Sequence, residues 1–200
     1  TGGMTLNLSP SIYSFTTTAE LQTAVNLWIS DNAAALVAYG GINTWNTTAI
    51  TDMSSLFTNK TTFNSDISNW DVSNVTNMSN MFRSAELFNQ PLNNWDVRNV
   101  TSMVGMFRYA DAFQQPLNLW QLNSLTGTFG EGFMGNTGAL GAITYNLLDT
   151  LYNGWVIDLA ALQSNVTISF GNSTFTAAGL TAKNILINDK GWTITDGGQV

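Results

Sequence analysis

Two acidic side chains are the first candidates for chemistry in this sequence. Asp71 and Asp96 lie 25 residues apart, and each stands between a Trp and a Val. If short strands stack at this spacing, the two carboxylates share one outward column and lie about 4.8 Å apart. Paired carboxylates perform acid–base catalysis in glycosidases, and close like charges raise one pKa or recruit a cation. The structural alternative, which we favour, is that each Asp accepts hydrogen bonds from backbone amides of the next turn.

The rest of the composition excludes most other catalytic and metal chemistry. The chain has no His and no Cys, so a serine nucleophile lacks its usual base and zinc lacks its usual ligands. Calcium needs six or more oxygen ligands, and no Asp-x-Asp-x-Asp loop is present. We therefore predict a protein that is not an enzyme and that holds no cofactor and no metal.

The charge balance also narrows the class of partner. The formal net charge is −7, with only six Lys and Arg residues, whereas phosphate binding requires a basic footprint. Nucleic acid is therefore an unfavourable partner. No run of eighteen apolar residues occurs, so the sequence predicts no membrane-spanning helix.

A 25-residue unit repeats through the middle of the chain and must position Asp71 and Asp96. Three residue types recur at this step: Trp45, Trp70, Trp95 and Trp120; Met53, Met78 and Met103; Phe57, Phe82 and Phe107. Equal spacing of many columns predicts stacked copies of one supersecondary unit. We assign these Trp, Met and Phe columns to the core and expect the indoles of Trp70 and Trp95 to be buried.

The apolar pattern inside one unit predicts a strand followed by a helical turn. Trp95 and Val97 are two apart and share one face, as a short strand requires. From Val100 to Ala110 the apolar residues recur at three and four, as on a helix. Pro116 then ends the unit. The predicted fold class is an α/β repeat: a short leucine-rich-repeat-like solenoid with parallel strands, an N-terminal helical cap and a C-terminal βαβ-like cap.

The repeat resembles the BspA-like leucine-rich-repeat surface proteins of bacteria and mycoplasmas. The resemblance is carried by Trp-Asp-Val-Ser-Asn-Val-Thr-Asn-Met-Ser-Asn-Met-Phe at 70–82 and by Phe-Asn-Gln-Pro-Leu at 88–92. Both motifs recur in variant form at 95–107 and 113–117, and the first copy at 45–63 is degenerate. The resemblance implies an extracellular repeat protein that presents a surface.

The domain boundaries follow from the segments on either side of the repeats. We predict an extended arm at 1–14, a helical cap at 15–41 that begins with a Thr17–Glu20 capping box, and the repeats at 42–126. Residues 127–200 should form a Gly-rich connection and an α/β cap, with strands at 166–170 and 192–195 around a helix at 176–187.

The resulting functional prediction is a non-enzymatic extracellular module for adhesion or structural protein–protein interaction, at a cell surface or on a virion. Its expected partners are other proteins of a surface assembly or a host-cell receptor, and glycans are a further candidate. The alternative function is a carbohydrate-binding or glycan-processing domain. The candidate binding face is the outward side of the predicted strands, which carries Asn69, Asp71, Ser73, Asn94, Asp96 and Arg98.

Overall fold

A computed structural model describes residues 12–126, 133–134, 145–171 and 173–200. The helices and strands of these described parts fall into two groups, at the two ends of the repeats. The α-helices are α1 (Thr18–Ser30), α2 (Asn32–Tyr39), α3 (Tyr145–Trp155) and α4 (Ala177–Lys190), and the strands are β1 (Thr167–Ser169) and β2 (Thr193–Thr195). Short 3-10 turns occupy Ile42–Thr44 and Val156–Asp158. None of the described helices is both long and apolar enough to cross a membrane.

The N-terminal helical segment begins as its capping residues predict. Thr17 is the N-cap of α1 and accepts from the backbone N–H of Glu20, whose carboxylate accepts in turn from the N–H of Thr16. The predicted single stretch is two helices, because Asp31 ends α1 and its side chain caps α2. Gly40, with φ of 73°, ends α2.

The predicted fold class is wrong. Across 42–126 the described chain contains turns and isolated bridges and no strand, so there is no solenoid of parallel strands. Neither the strand predicted through Trp95 and Val97 nor the helix predicted after Val100 forms. The strands found in the described residues are β1 and β2, and both lie in the C-terminal region.

Consecutive tight turns explain why the apolar residues of the repeat have the three-and-four spacing of a helix. Met106 N–H donates to the Met103 carbonyl, Arg108 to Gly105, and Ala110 to Phe107. Between these turns the backbone visits the left-handed region, which reverses its direction and prevents a helix from growing. The positive φ angles fall in two columns: Ser55, Asn80 and Gly105, and Asn59, Ser84 and Tyr109. Spacings of three and four thus mark successive turns here.

The repeats stack through backbone hydrogen bonds that run from one copy to the next. Alternate amides donate across the gap, while the amides between them close the turns. The donations across the gap include Met53 N to Asn77 O at 2.9 Å, Phe57 N to Met81 O at 2.8 Å, Met78 N to Ser102 O at 2.9 Å and Phe82 N to Met106 O at 2.8 Å. In this series the carbonyls point back towards the N-terminal cap.

Side chains of helix α1 donate hydrogen bonds to carbonyls of the first repeat. Thr18 Oγ1 donates to Asp52 O at 2.6 Å, and Gln22 Nε2 donates to Leu56 O at 3.0 Å. Next to the helix, residues 13–15 pair with Asn46, whose N–H donates to Tyr13 O. The end of the stack is therefore closed by side chains rather than left to water.

The core consists of aromatic and Met columns, as predicted. Phe57, Phe82 and Phe107 stack with centroids 5.2 and 5.4 Å apart. Trp70 and Trp95 are 3% and 4% exposed. Their indole N–H groups donate to carbonyls of the preceding repeat, from Trp70 to Ile42 and from Trp95 to Ile67. The core prediction for these columns is confirmed.

The C-terminal region places two short strands beside two helices. β1 and β2 pair in parallel with Ile168 opposite Ile194, and α4 connects them. Gly191 ends α4 in the left-handed conformation. Two predicted segments are only partly described: the arm lies outside the described residues at 1–11, and the Gly-rich connection does so at 127–132 and 135–144.

Candidate functional site

Asp71 lies on the surface and is held by its own turn. Its Oδ1 accepts from Ser73 N at 3.0 Å and from Ser73 Oγ at 2.6 Å, and its Oδ2 accepts from Thr48 Oγ1 at 3.3 Å. The Ser73 hydroxyl, then the Ser73 amide, lower the pKa of this carboxyl below its usual value. The neighbouring Asp96 acts in the opposite direction and is outweighed.

Asp96 is half-buried and is held by Arg98. Oδ1 accepts from Arg98 Nε at 2.8 Å and from Arg98 N at 3.2 Å, and Oδ2 accepts from Nη2 at 2.5 Å. The Arg98 side chain lowers the pKa of Asp96, and the same contact raises the pKa of the guanidinium. In this bidentate ion pair the outer side of Arg98 stays exposed, and it is the cationic part of the face.

The two carboxylates are therefore both ionised at neutral pH. Repulsion raises the pKa of neither acid above its usual value, because local donors act more strongly on each acid than the other acid does. The structural alternative, an Asp bonded to the amide two residues later, is present at both positions. Among the described residues no group of His, Cys, Asp or Glu is arranged to hold a metal ion.

Only half of the predicted binding face lines a groove. Asn94, Asp96 and Arg98 line one shallow groove, which Leu119 and Gln121 also line. The equivalent residues of the preceding repeat, Asn69, Asp71 and Ser73, are at the surface or partly exposed and are not part of its lining. The concave part of the candidate face thus lies at the C-terminal end of the repeats.

Sequence reasoning missed the continuation of this groove into the C-terminal region. Leu119, Trp155, Ile157 and Asp158 line the adjacent hollow. One signal was available: Leu119 occupies the column of Asn69 and Asn94, so an apolar residue stands where the repeat has an amide. No periodic pattern marks Ile157 or Asp158, because they follow α3 outside the repeats.

Close packing joins the last repeat to α3 beneath this hollow. A Cβ at Gly154 would clash with the Asn118 backbone oxygen, so only Gly allows this approach. The two halves of the groove therefore lie on elements in direct contact.

Comparison with known families places the repeats in a recognised group. The profile of the family described as "Mycoplasma protein of unknown function, DUF285" matches residues 15–137, which is more than half of the chain. The chain belongs to this family. The DUF285 match begins at residue 15 and so includes α1 and α2 with the repeats, while α3, α4 and both strands lie beyond it. A search of curated proteins and a search of solved structures each returned no match.

Proposed function

We propose that this DUF285 protein is a non-enzymatic surface module for adhesion or structural protein–protein interaction, similar to the BspA-like surface proteins. It would act at a cell surface or on a virion, and its partners would be proteins of a surface assembly or a host-cell receptor. The support for the BspA-like assignment is the Trp-Asp-Val-Ser-Asn-Val-Thr repeat together with the family membership.

The observation that carries this proposal is the state of the two stacked acids. A general acid must be protonated at the working pH, and the pKa values of Asp71 and Asp96 are both lowered. Their oxygens are also engaged by Ser73, Thr48 and Arg98. This arrangement favours a fixed polar surface over a reacting pair.

The sugar-binding alternative has weaker support. Stacking on a pyranose ring needs an exposed aromatic face, whereas Trp70, Trp95 and Trp120 are buried. We therefore retain protein recognition as the proposed function. Because a small polar interface gives modest affinity, many copies in an assembly would supply the strength by avidity.

Hydrogen exchange on the assembled surface layer or particle, compared with the free chain, tests this proposal. We expect the amides of 94–98 to gain protection on assembly or on binding to the host cell. The variant Arg98→Glu should weaken attachment of the assembly, because it breaks the bidentate pair with Asp96 that fixes this face. Lys60→Glu makes the same charge change on another turn and should leave attachment unchanged. Equal protection in both states, with no effect of Arg98→Glu, would refute the proposal.

A further inference from the structure

Three hollows meet where the last repeat contacts the C-terminal region. The first, lined by Asp96 and Arg98, shares Leu119 and Gln121 with the second. The second shares Asn118, Gly154 and Ile157 with the third, which reaches α4 at Ala178. We call this continuous surface the junction groove; it runs from Arg98 past Leu119 and Ile157 to Ala178.

The centre of the junction groove exposes two large apolar side chains. Leu119 is 58% exposed and Ile157 is 80% exposed, and both line the middle hollow. They come from different regions of the chain, one from the repeats and one from the turn after α3. Apolar side chains grouped in a concave place surrounded by amides are typical of a binding site rather than of a solvated surface.

A buried donor without an acceptor lies in the wall of the same groove. The chain has seven Trp residues. Six of their indole N–H groups donate to oxygen: Trp28, Trp45, Trp70, Trp95, Trp120 and Trp192. The seventh, Trp155, is 3% exposed, lines the middle hollow, and its Nε1 has no partner among the described residues. A buried N–H without an acceptor is unfavourable, so this wall of the groove is less completely bonded than the Trp columns of the repeats.

The charges of the groove favour a cationic occupant. Asp158 is exposed at its rim, and Arg98 at the far end is paired with Asp96. The chain as a whole carries a net charge of −7. A basic partner is therefore attracted both by the whole molecule and by the rim.

We propose that the junction groove binds an extended peptide segment of a partner protein, with one large apolar side chain between Leu119 and Ile157 and a Lys or Arg beside Asp158. This inference rests on the proposed protein-interaction function and specifies the partner's chemistry. The amides of Asn118, Gln121 and Asn123 along the groove suit a peptide backbone, which offers both donors and acceptors. A sugar is less suitable, because Trp120 and Trp155 are buried and offer no open ring face.

Selection from a random peptide display library against the full chain tests the inference. We expect the enriched peptides to carry a large aliphatic or aromatic residue near Lys or Arg. Synthetic copies should bind about tenfold or more weakly to Ile157→Ser, because the apolar contact is lost. They should also shift the indole N–H resonance of Trp155, which Trp155→Phe identifies. Asp158→Asn should weaken binding, and the weakening should diminish as salt is raised.

Val37→Ser is the matched control, since Val37 is 90% exposed on α2 and lies outside the groove. It should bind the peptides as the parent chain does. Three outcomes would each overturn the inference. They are enrichment no greater than that on the double variant Leu119→Ser/Ile157→Ser, enrichment of acidic peptides, and a preference for glycans that depends on Ile157. Self-association of the chain through the groove would do so too.

The failure of this inference can be distinguished from failure of the proposed function. If no peptide depends on Ile157 while Arg98→Glu still weakens attachment, the groove proposal falls and the surface function stands. If peptides bind the groove while assembled chains attach to nothing, the adhesion proposal falls instead.

Discussion

The repeats at 42–126 and the C-terminal region at 145–200 are held together in different ways. In the repeats the contacts that hold the core recur: Trp70, Trp95 and Trp120 all donate to a carbonyl of the preceding copy. In the C-terminal region each polar contact is made once, as in the ion pair of Lys183 with Asp196. One unit therefore explains the whole stack, whereas the C-terminal region must be understood contact by contact.

This difference also shows where function is to be sought. A column residue that keeps its type serves the stack, as the buried Trp and Phe residues do. A surface residue whose type differs from the rest of its column is not needed to hold the stack together. Leu119 is such a residue, because its column has Asn at 69 and 94 and its side chain is exposed. Leu119 lies where the first two hollows of the junction groove meet.

The largest effect is expected from breaking a column. Trp95→Ala removes a buried indole and its bond to Ile67 O, and the cavity should lower the free energy of unfolding by about 3–5 kcal/mol. Because the stack is continuous on both sides of Trp95, hydrogen exchange should accelerate in both neighbouring repeats. Urea unfolding and exchange measure the two effects.

The matched control is Trp95→Phe, which keeps an aromatic ring in the column and loses the N–H. It should cost about 1–3 kcal/mol, less than Trp95→Ala, because the buried Ile67 carbonyl loses its donor while most of the ring volume is kept. Equal losses for Ala and Phe would contradict the cavity argument.

The same contrast explains what the sequence could and could not predict. The buried columns were predictable because copies of one 25-residue unit that stack bring identical residues together, whatever the local backbone conformation. The backbone itself was not, because consecutive turns with left-handed Ser55 and Asn59 produce the same three-and-four spacing as a helix. The strands expected in the repeats do not form: Trp95 and Val97 are both buried with a half-buried Asp96 between them, yet that alternation occurs without a ladder of strand hydrogen bonds.

For the candidate site, the hydrogen bonds of Asp71 and Asp96 were predictable, since an Asx turn needs only the local sequence. The groove was not, because it depends on α3 meeting the last repeat at Gly154 and Asn118, 36 residues apart in the chain. A contact made once at long range leaves no periodic trace in the sequence.

An intermediate effect is expected from breaking a single contact of the C-terminal region. Asp196 is 4% exposed in its side chain and accepts from Lys183 Nζ at 2.8 Å and from Tyr152 Oη at 2.6 Å. Asp196→Asn leaves the Lys183 ammonium without its counter-charge and should cost about 1.5–3 kcal/mol. Hydrogen exchange should accelerate in α3 and α4 and remain unchanged in the repeats, in contrast to Trp95→Ala.

Asp158→Asn removes an exposed carboxylate from the same region and serves as the control, with a change within about 0.5 kcal/mol. If Asp196→Asn loosened the repeats as strongly as α3 and α4, the two regions would unfold as one unit, and the distinction drawn between them would fail.

The smallest effect is expected from the two surface acids, Asp71 and Asp96, whose contribution is electrostatic. The pKa values of Asp71 and Asp96 are lowered in the folded chain, relative to about 3.9 in an unfolded one. Their contribution to stability is therefore complete above the unfolded pKa and is lost as the pH falls through the folded values. It should be modest, because Asp71 is exposed and Asp96 only half-buried.

Urea midpoints of the parent chain and of Asp71→Asn/Asp96→Asn should differ at pH 7 and converge as the pH is lowered below about 4. The single variants should each account for part of that difference, since each acid has its own donors. A difference that stays constant down to the lowest pH would mean that the carboxylates act through packing rather than through charge.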